Sequence, residues 1–390
     1  MKLLVLAQTP PPLHGQSLMV QALLDGLPAR QIAVAHVPLA LSRDAADIGR
    51  WRPGKALATL RAGLHARRVA RQENYDALYY IPAPGKRGAL WRDLLVLSLA
   101  RPACPRLVLH WHASGLGAWL DNHAAAPERR LALSRLGRAD LAIVLGEALR
   151  DDAARFAPRQ LAVVPNGIAD PCPDFVRAPA TAGQPLRALF LGLCSAEKGL
   201  FAAAEAMLLA NRRAGASPAA PAFALTAAGA FASAAESRRF RELAALTPKV
   251  LRHVGVVSGA TKHTLLAESD CLCFPTAYPH EAQPLVVLEA LAYDLPVIAT
   301  RWRAIPESLP ADYPHLVATP SPEAIADRLL ALASSPSVPG TLRSHFLTHH
   351  TADRWLDNLA AALAQLAHTQ SGRPAGEPAQ SGTHGIPASR

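Results

Sequence analysis

Short apolar runs recur along the chain, separated by stretches with helical spacing. "LLVLAQT" (3–9), "DALYYIPA", "RLVLHWHAS", "DLAIVLGE" and "QLAVVPNGI" form a first series, and "RALFLGL", "AFALTAAG", "VLRHVGVV", "DCLCFPTA", "PVIATRW" and "HLVAT" a second. Brief runs without strict alternation suit strands covered on both faces, as in a parallel sheet flanked by helices. A helix is expected near Ser17, after the loop "PPPLHGQS". Residues 169–186 are Pro-rich and lack periodicity, so they read as a linker between two doubly wound α/β domains, 1–168 and 187–348. "TADRWLDNLAAALAQLAH" (351–368) is amphipathic; the expectation is a helix over 349–368 that packs back on the first domain. The tail 369–390, rich in Gly, Pro and Ser, is expected to be disordered.

One apolar run carries acids it does not need for packing. "HEAQPLVVLEALAYDLPVIAT" (280–300) places Glu281 and Glu289 around leucines and valines. Pro284 suits the first position of a helix that stops before Pro296. The free amides of that helix start, at Leu285 and Val286, would form an anion site. Eight helical residues span about 12 Å, so the two carboxylates would bracket such a site. Carboxylates repel a diphosphate but accept hydrogen bonds from hydroxyls. A ligand with hydroxyls at both ends and a diphosphate between them, such as a nucleotide sugar, meets those demands. Two ordinary acids, one at a helix start and one satisfied in the core, would produce the same spacing.

Other short stretches bear on that choice. In "FLGLCSAEKG" (190–199) Gly192 permits close backbone approach, and Lys198 can reach a phosphate as a point charge. Gly15 lies in the first loop, just before exposed amides. In "HWHAS" (110–114) the two histidines are two residues apart, so His110 and His112 should face one side of the sheet. Strand C-termini line the ligand crevice of open α/β sheets. No third metal ligand follows at useful spacing, and no metal is expected.

Charge adds a second theme. The chain of 390 residues has a formal net charge of +10, and the first 170 residues hold 22 Lys and Arg against 13 Asp and Glu. Basic surface attracts nucleic acid, anionic lipid or acidic substrates alike. In "RWRPGKALATLRAGLHARRVAR" (50–71), Leu57, Leu60 and Leu64 share a helical side with Arg61, Arg68 and Arg71, with alanines spread opposite. Either the leucines enter the core while the arginines extend past them, or the alanines pack inward and the leucine–arginine face rests on anionic lipid. The five cysteines form no CxxC pair, as expected in a reducing cytoplasm. No run approaches a membrane span or the apolar core of a signal peptide. The chain is therefore expected to be soluble, or attached to a membrane only at its surface.

Together "HEAQPLVVLEALAYDLPVIAT…IPE", "FLG…EKG", "VVPNGI", "PPPLHG" and "HWHAS" resemble the bacterial glycosyltransferases of family 4, also called group 1. The resemblance implies the GT-B fold, metal-independent chemistry and transfer of a sugar with retention of configuration. It implies that Glu281 binds the donor sugar's hydroxyls and Glu289 the ribose. Lys198 and the Leu285 and Val286 amides would hold the diphosphate, Gly15 would be the close-approach glycine, and His112 the active-site histidine. Three positions depart from the pattern: Leu193 follows Gly192 where an arginine is common nearby, His14 precedes Gly15 where a second glycine is common, and Ala282 follows Glu281 in place of glycine.

The expected activity is retaining transfer from a UDP- or GDP-sugar to a lipid-linked oligosaccharide or lipopolysaccharide acceptor, in O-antigen-type surface polysaccharide synthesis. Donor would sit in the second domain and acceptor in the basic first domain, with the protein cytoplasmic or peripheral on the inner face of the cytoplasmic membrane. A nucleotide-sugar epimerase on the same fold, or a basic nucleic-acid or membrane-surface binding protein, are the alternatives. Against nucleic acid, the basic stretch lacks interleaved aromatics and any groove-reading motif.

Overall fold

The computed structural model describes residues 1–39, 53–178, 183–217, 219–335 and 338–368. The tail expected to be disordered and part of the linker therefore lie outside the described residues. The first half builds a parallel sheet from β1 (Lys2–Ala7), β2 (Ala33–Pro38), β3 (Ala77–Tyr80), β4 (Leu107–Trp111), β5 (Leu141–Val144) and β6 (Leu161–Val163), in the order β2-β1-β3-β4-β5-β6. The second half builds another from β7 (Leu186–Leu191), β8 (Phe223–Ala228), β9 (Leu251–His253), β10 (Cys271–Phe274), β11 (Val297–Thr300) and β12 (Leu316–Val317), in the order β12-β11-β10-β7-β8-β9. β1, β3, β4, β5, β10 and β11 are almost wholly buried, which is why their sequences are continuous apolar runs. β2 is not among the expected strands. It is an edge strand, mostly half-buried, and "AVAHVP" is correspondingly mixed.

Each sheet reverses its winding at one place, between β1 and β3 in the first and between β7 and β10 in the second. Open α/β sheets open a crevice beyond the strand C-termini at such a switch point. The loops after β1, β7 and β10 are those that carry His14–Gly15, Lys198 and Glu281.

Two crossings join the halves, and they lie side by side. The Ile168 amide donates to the His350 carbonyl (2.9 Å) and the Ala352 amide to the Ile168 carbonyl (2.8 Å). The helix Ala352–His368 then buries Trp355, Leu359 and Leu363 against Leu3, Val5 and Leu23 of the first half. Arg30 fastens its start through Asp353 (3.0 Å) and Asp357 (2.7 Å). The described residues 169–178 of the Pro-rich stretch are pinned: Arg177 donates to the Leu266, Ser269 and Tyr293 carbonyls, and Arg343 pairs with Asp170 at 2.7 Å.

The helix Pro53–Gln72 turns its small side inward. Thr59, Gly63, Ala66 and Ala70 are buried, whereas Leu57, Leu60 and Leu64 remain 48%, 37% and 48% exposed beside the exposed Arg61, Arg68 and Arg71. The reading that put the leucines in the core is therefore overturned. A Cβ at Gly63 would stand 2.8 Å from Leu99, so this helix approaches the helix Arg87–Ala100 more closely than leucines would allow.

Candidate active site

The helix Leu285–Ala292 begins one residue later than expected. Pro284 keeps an extended ψ of 124° and stands just outside it as the N-cap. The amides of Leu285 and Val286 thus belong to the first turn, where no carbonyl lies one turn back to receive them. The helix at the first loop starts earlier than Ser17, at Gly15, because the His14 imidazole accepts the Ser17 amide (3.2 Å) as its cap. Gly15 has no left-handed backbone, and a Cβ there would meet the Leu285 side chain at 3.5 Å. The first loop and the second domain's helix start therefore face each other directly.

Glu281 is buried, and its Oε2 receives Lys198 Nζ at 2.6 Å and the Thr276 hydroxyl at 3.3 Å. The Lys198 ammonium also lies 4.7 Å from the Tyr278 ring centroid and 5.6 Å from that of Phe274, within cation–π range. Three N–H donors on a lysine leave it able to hold a carboxylate and an anion together. Its position depends on Gly199, at φ +85°, where a Cβ would fall 2.2 Å from the Pro275 carbonyl oxygen. Gly192, at φ +144°, lies with its carbonyl where a Cβ of Gly229 would stand, at 1.7 Å; it is Gly229 that admits the approach. Leu193, at the position with no arginine, is 46% exposed.

Glu289 sits elsewhere and has its own cation. Lys262 Nζ lies 2.6 Å from Glu289 Oε1, both side chains being mostly buried. The two acids therefore hold separate lysines, and Lys262 joins the candidate site as a residue that sequence reasoning missed. Its neighbourhood, "SGATKHT", reads as an ordinary solvated helix start; only the 27-residue return of the chain to Glu289 reveals it.

The first domain closes over this arrangement from β4. The Ser114 hydroxyl lies 2.6 Å from the Glu281 carbonyl oxygen and 2.9 Å from that of Pro279, and the His280 Nδ1 is 3.1 Å from the Ser114 carbonyl. His110 and His112 do share a side, with ring centroids 4.2 Å apart. His110 is fully buried against the Tyr79 hydroxyl, whereas His112 is partly exposed. Burial, with His14 adding to it, pushes the His112 pKa down to about 3. Its imidazole is thus neutral near pH 7, a hydrogen-bonding group rather than a cation or a ready proton donor. Arg61, Arg68 and Arg71 are not part of this cluster; they line the outer face of the helix Pro53–Gln72. Among the described residues no group of three or more His, Cys, Asp and Glu side chains could hold a metal ion.

A second contact ties the halves together. The Glu307 carboxylate, from the "IPE" stretch, accepts the Glu147 amide (2.6 Å) and the Ala148 amide (2.9 Å) of the first domain. At Gly146 a Cβ would stand 2.6 Å from Ala304 and 2.8 Å from Glu307.

Two facing parallel sheets, their switch-point loops meeting in one crevice, define the GT-B fold, and the class to which they point is the glycosyltransferases. Residues 185–335, the half that holds Lys198, Lys262, Glu281 and Glu289, match the family "Glycosyl transferases group 1". The chain resembles sucrose-phosphate synthase from Thermosynechococcus elongatus, at 16% identity over 95% of this chain and 100% of that one, with a TM-score of 0.70. It is also similar to Anabaena HepE in complex with UDP and glucose (16% identity, 94% and 100% coverage, TM-score 0.66). A third likeness is to the lipopolysaccharide outer core galactosyltransferase WaaB (14% identity, 94% and 99% coverage, TM-score 0.62). At such identities the likeness shows the fold. No curated protein sequence matches the chain.

Proposed function

We propose that the protein is a retaining, metal-independent glycosyltransferase that takes a UDP- or GDP-sugar as donor and a lipid-linked glycan or lipopolysaccharide as acceptor. The observation that carries this reading is the Lys198–Glu281 pair at the second sheet's switch point, beside the start of the helix Leu285–Ala292. A departing nucleoside diphosphate gains negative charge. Lys198 and the Leu285 and Val286 amides are preorganised to receive it, and electrostatic stabilisation of this kind commonly contributes more to catalysis than any other effect. Glu281 then has an oxygen to accept sugar hydroxyls, neutral His112 offers one more hydrogen bond across the cleft, and Glu289 takes the ribose. The interdomain contacts of Ser114 and Glu307 hold the two halves together, and closure of the cleft between them would limit hydrolysis of the donor.

The lipid-borne acceptor is supported by the outward face of the helix Pro53–Gln72, where exposed leucines and arginines alternate. No helix among the described residues is long and apolar enough to cross a membrane, so contact through such a face would be at the surface. In vesicle flotation, binding should require anionic lipid and fall when Arg61, Arg68 and Arg71 become Glu. Equal binding of both proteins to neutral and anionic vesicles would remove the membrane-bound acceptor. Saturation-transfer NMR against a panel of nucleotide sugars tests the donor. Signal from the ribose and diphosphate-linked sugar of one donor supports the reading, and silence across the panel contradicts it. Incubation with that donor alone separates transfer from epimerisation, which would change the sugar without an acceptor.

A further inference from the structure

A basic cavity lies at the opposite end of the first sheet from the candidate active site. It occupies about 430 Å³ where β4, β5 and β6 begin, whereas His14, His112 and Ser114 follow strand ends. Arg101, Arg106, Arg135, Arg138 and Arg159 line it, with Asp140 as the one acid. Three of these arginines are engaged by the protein itself. Arg101 donates to the Arg135 carbonyl (2.6 Å) at the end of the helix Ala126–Leu136, Arg135 donates to the Ser98 hydroxyl (2.7 Å), and Arg159 pairs with Asp140 (3.1 Å). Arg106 and Arg138, which also line this space, have no side-chain hydrogen bond or ion pair among the described residues.

Helix C-termini could neutralise such a cluster, so the magnitudes matter. The helices Arg87–Ala100 and Ala126–Leu136 both end here, and each contributes roughly half a negative charge. Five guanidiniums, one carboxylate and two helix ends leave about three positive charges around a space within the ordinary size of a ligand pocket. Burial pushes Arg101 below its ordinary range, with Asp140 opposing and Arg135 reinforcing the shift.

We propose that this cavity binds a multiply charged phosphate ester, held by Arg106 and Arg138, at a site separate from the sugar-transfer cleft. Guanidinium forks match phosphate oxygens two at a time, which suits them to this chemistry better than lysines. The volume fits a phosphorylated head rather than a long chain. Two sources share that chemistry, a soluble phosphate ester and the head group of an anionic phospholipid.

The test uses the full chain and two probes, inorganic pyrophosphate by calorimetry and vesicles of phosphatidylcholine with or without phosphatidic acid by flotation. The proteins are wild type, R106Q/R138Q, Lys198→Met, the variant with Arg61, Arg68 and Arg71 changed to Glu, and R106Q/R138Q combined with each of the last two. Because neither Arg106 nor Arg138 holds protein, R106Q/R138Q should melt as wild type does. If the source is soluble, pyrophosphate should still bind Lys198→Met, whose donor site is disabled, and that remaining binding should weaken about tenfold or more when R106Q/R138Q is added. If the source is lipid, the flotation with phosphatidic acid that remains once Arg61, Arg68 and Arg71 are changed to Glu should be lost when R106Q/R138Q is added, and kept in Lys198→Met. Unchanged behaviour towards both probes when R106Q/R138Q is added, or failure of the wild type to bind either, overturns the proposal. Donor binding at Lys198 is read separately, so this site and the transfer reading stand or fall apart.

Discussion

Lys198 and Glu281 meet at 2.6 Å although 83 residues separate them, because their loops leave the adjacent strands β7 and β10 at the point where the second sheet reverses its winding. Neither side chain is more than 16% exposed, so the pair is poorly screened. Each partner holds the other in place.

Removing the acid should damage chemistry more than folding. Glu281→Ala is expected to lower kcat by roughly 10²–10³-fold, the usual cost of one preorganised polar group. The measurement is steady-state turnover alongside thermal melting. A variant with wild-type kcat would take Glu281 out of the site.

Lys262 should act on donor affinity through Glu289. Lys262→Met frees a mostly buried carboxylate from its only ion-pair partner among the described residues. Donor KM is expected to rise roughly tenfold, equivalent to about 1.4 kcal/mol, with kcat little changed, and Lys262→Arg should restore part of it. Identical donor KM in Lys262→Met and wild type would make the pair purely structural.

Glu307 joins the halves by accepting two first-domain amides, but it is exposed, which caps its worth at about 1 kcal/mol. Gly146→Ala should be the harsher change, since its new methyl meets both Ala304 and Glu307. That variant is expected to hold the cleft open and to raise the ratio of donor hydrolysis to transfer. An unaltered ratio would mean that this contact does not govern closure.

Acid should destabilise the crossover. His350 is 2% exposed, its Nδ1 lies 3.3 Å from the Asn166 carbonyl oxygen that can accept from it, and it stands beside His345 and His349. Burial lowers its pKa to about 4 despite the Asn166 carbonyl's opposing pull. The unfolded chain, with an ordinary value near 6.5, binds the extra proton first as pH falls. Stability contributed by the neutral ring is thus complete above about pH 6.5 and lost progressively towards pH 4, at up to about 1.4 kcal/mol per pH unit. Urea denaturation at stepped pH should show a slope of that sign, to which His112 also contributes, and His350→Phe should reduce it. A slope that the substitution leaves unchanged would contradict the assignment to this histidine.

How much of the fold and the site is legible in the sequence depends on burial. β3, β4, β5, β10 and β11 announce themselves because both faces are covered, and β2 hides because an edge strand has little reason to be uniformly apolar. Glu281, Glu289 and Lys198 stand out as charges set in or beside apolar runs. Lys262, Ser114 and Glu307 do not, since their partners come from elsewhere in the chain and ordinary surface residues look the same. The helix Pro53–Gln72 misleads for a related reason. Periodicity identifies two faces but does not say which is inside, and close packing at Gly63 against Leu99 selects the small one.

The most direct measurement is a calorimetric titration of UDP and of GDP into wild type and Lys198→Met. The account predicts saturable binding of one of them to the wild type, weakened roughly tenfold or more when the ammonium is lost, in line with about 1.5–3 kcal/mol for a hydrogen bond to a charged group. Equal affinity in the two proteins, or no nucleotide binding by the wild type, would contradict it.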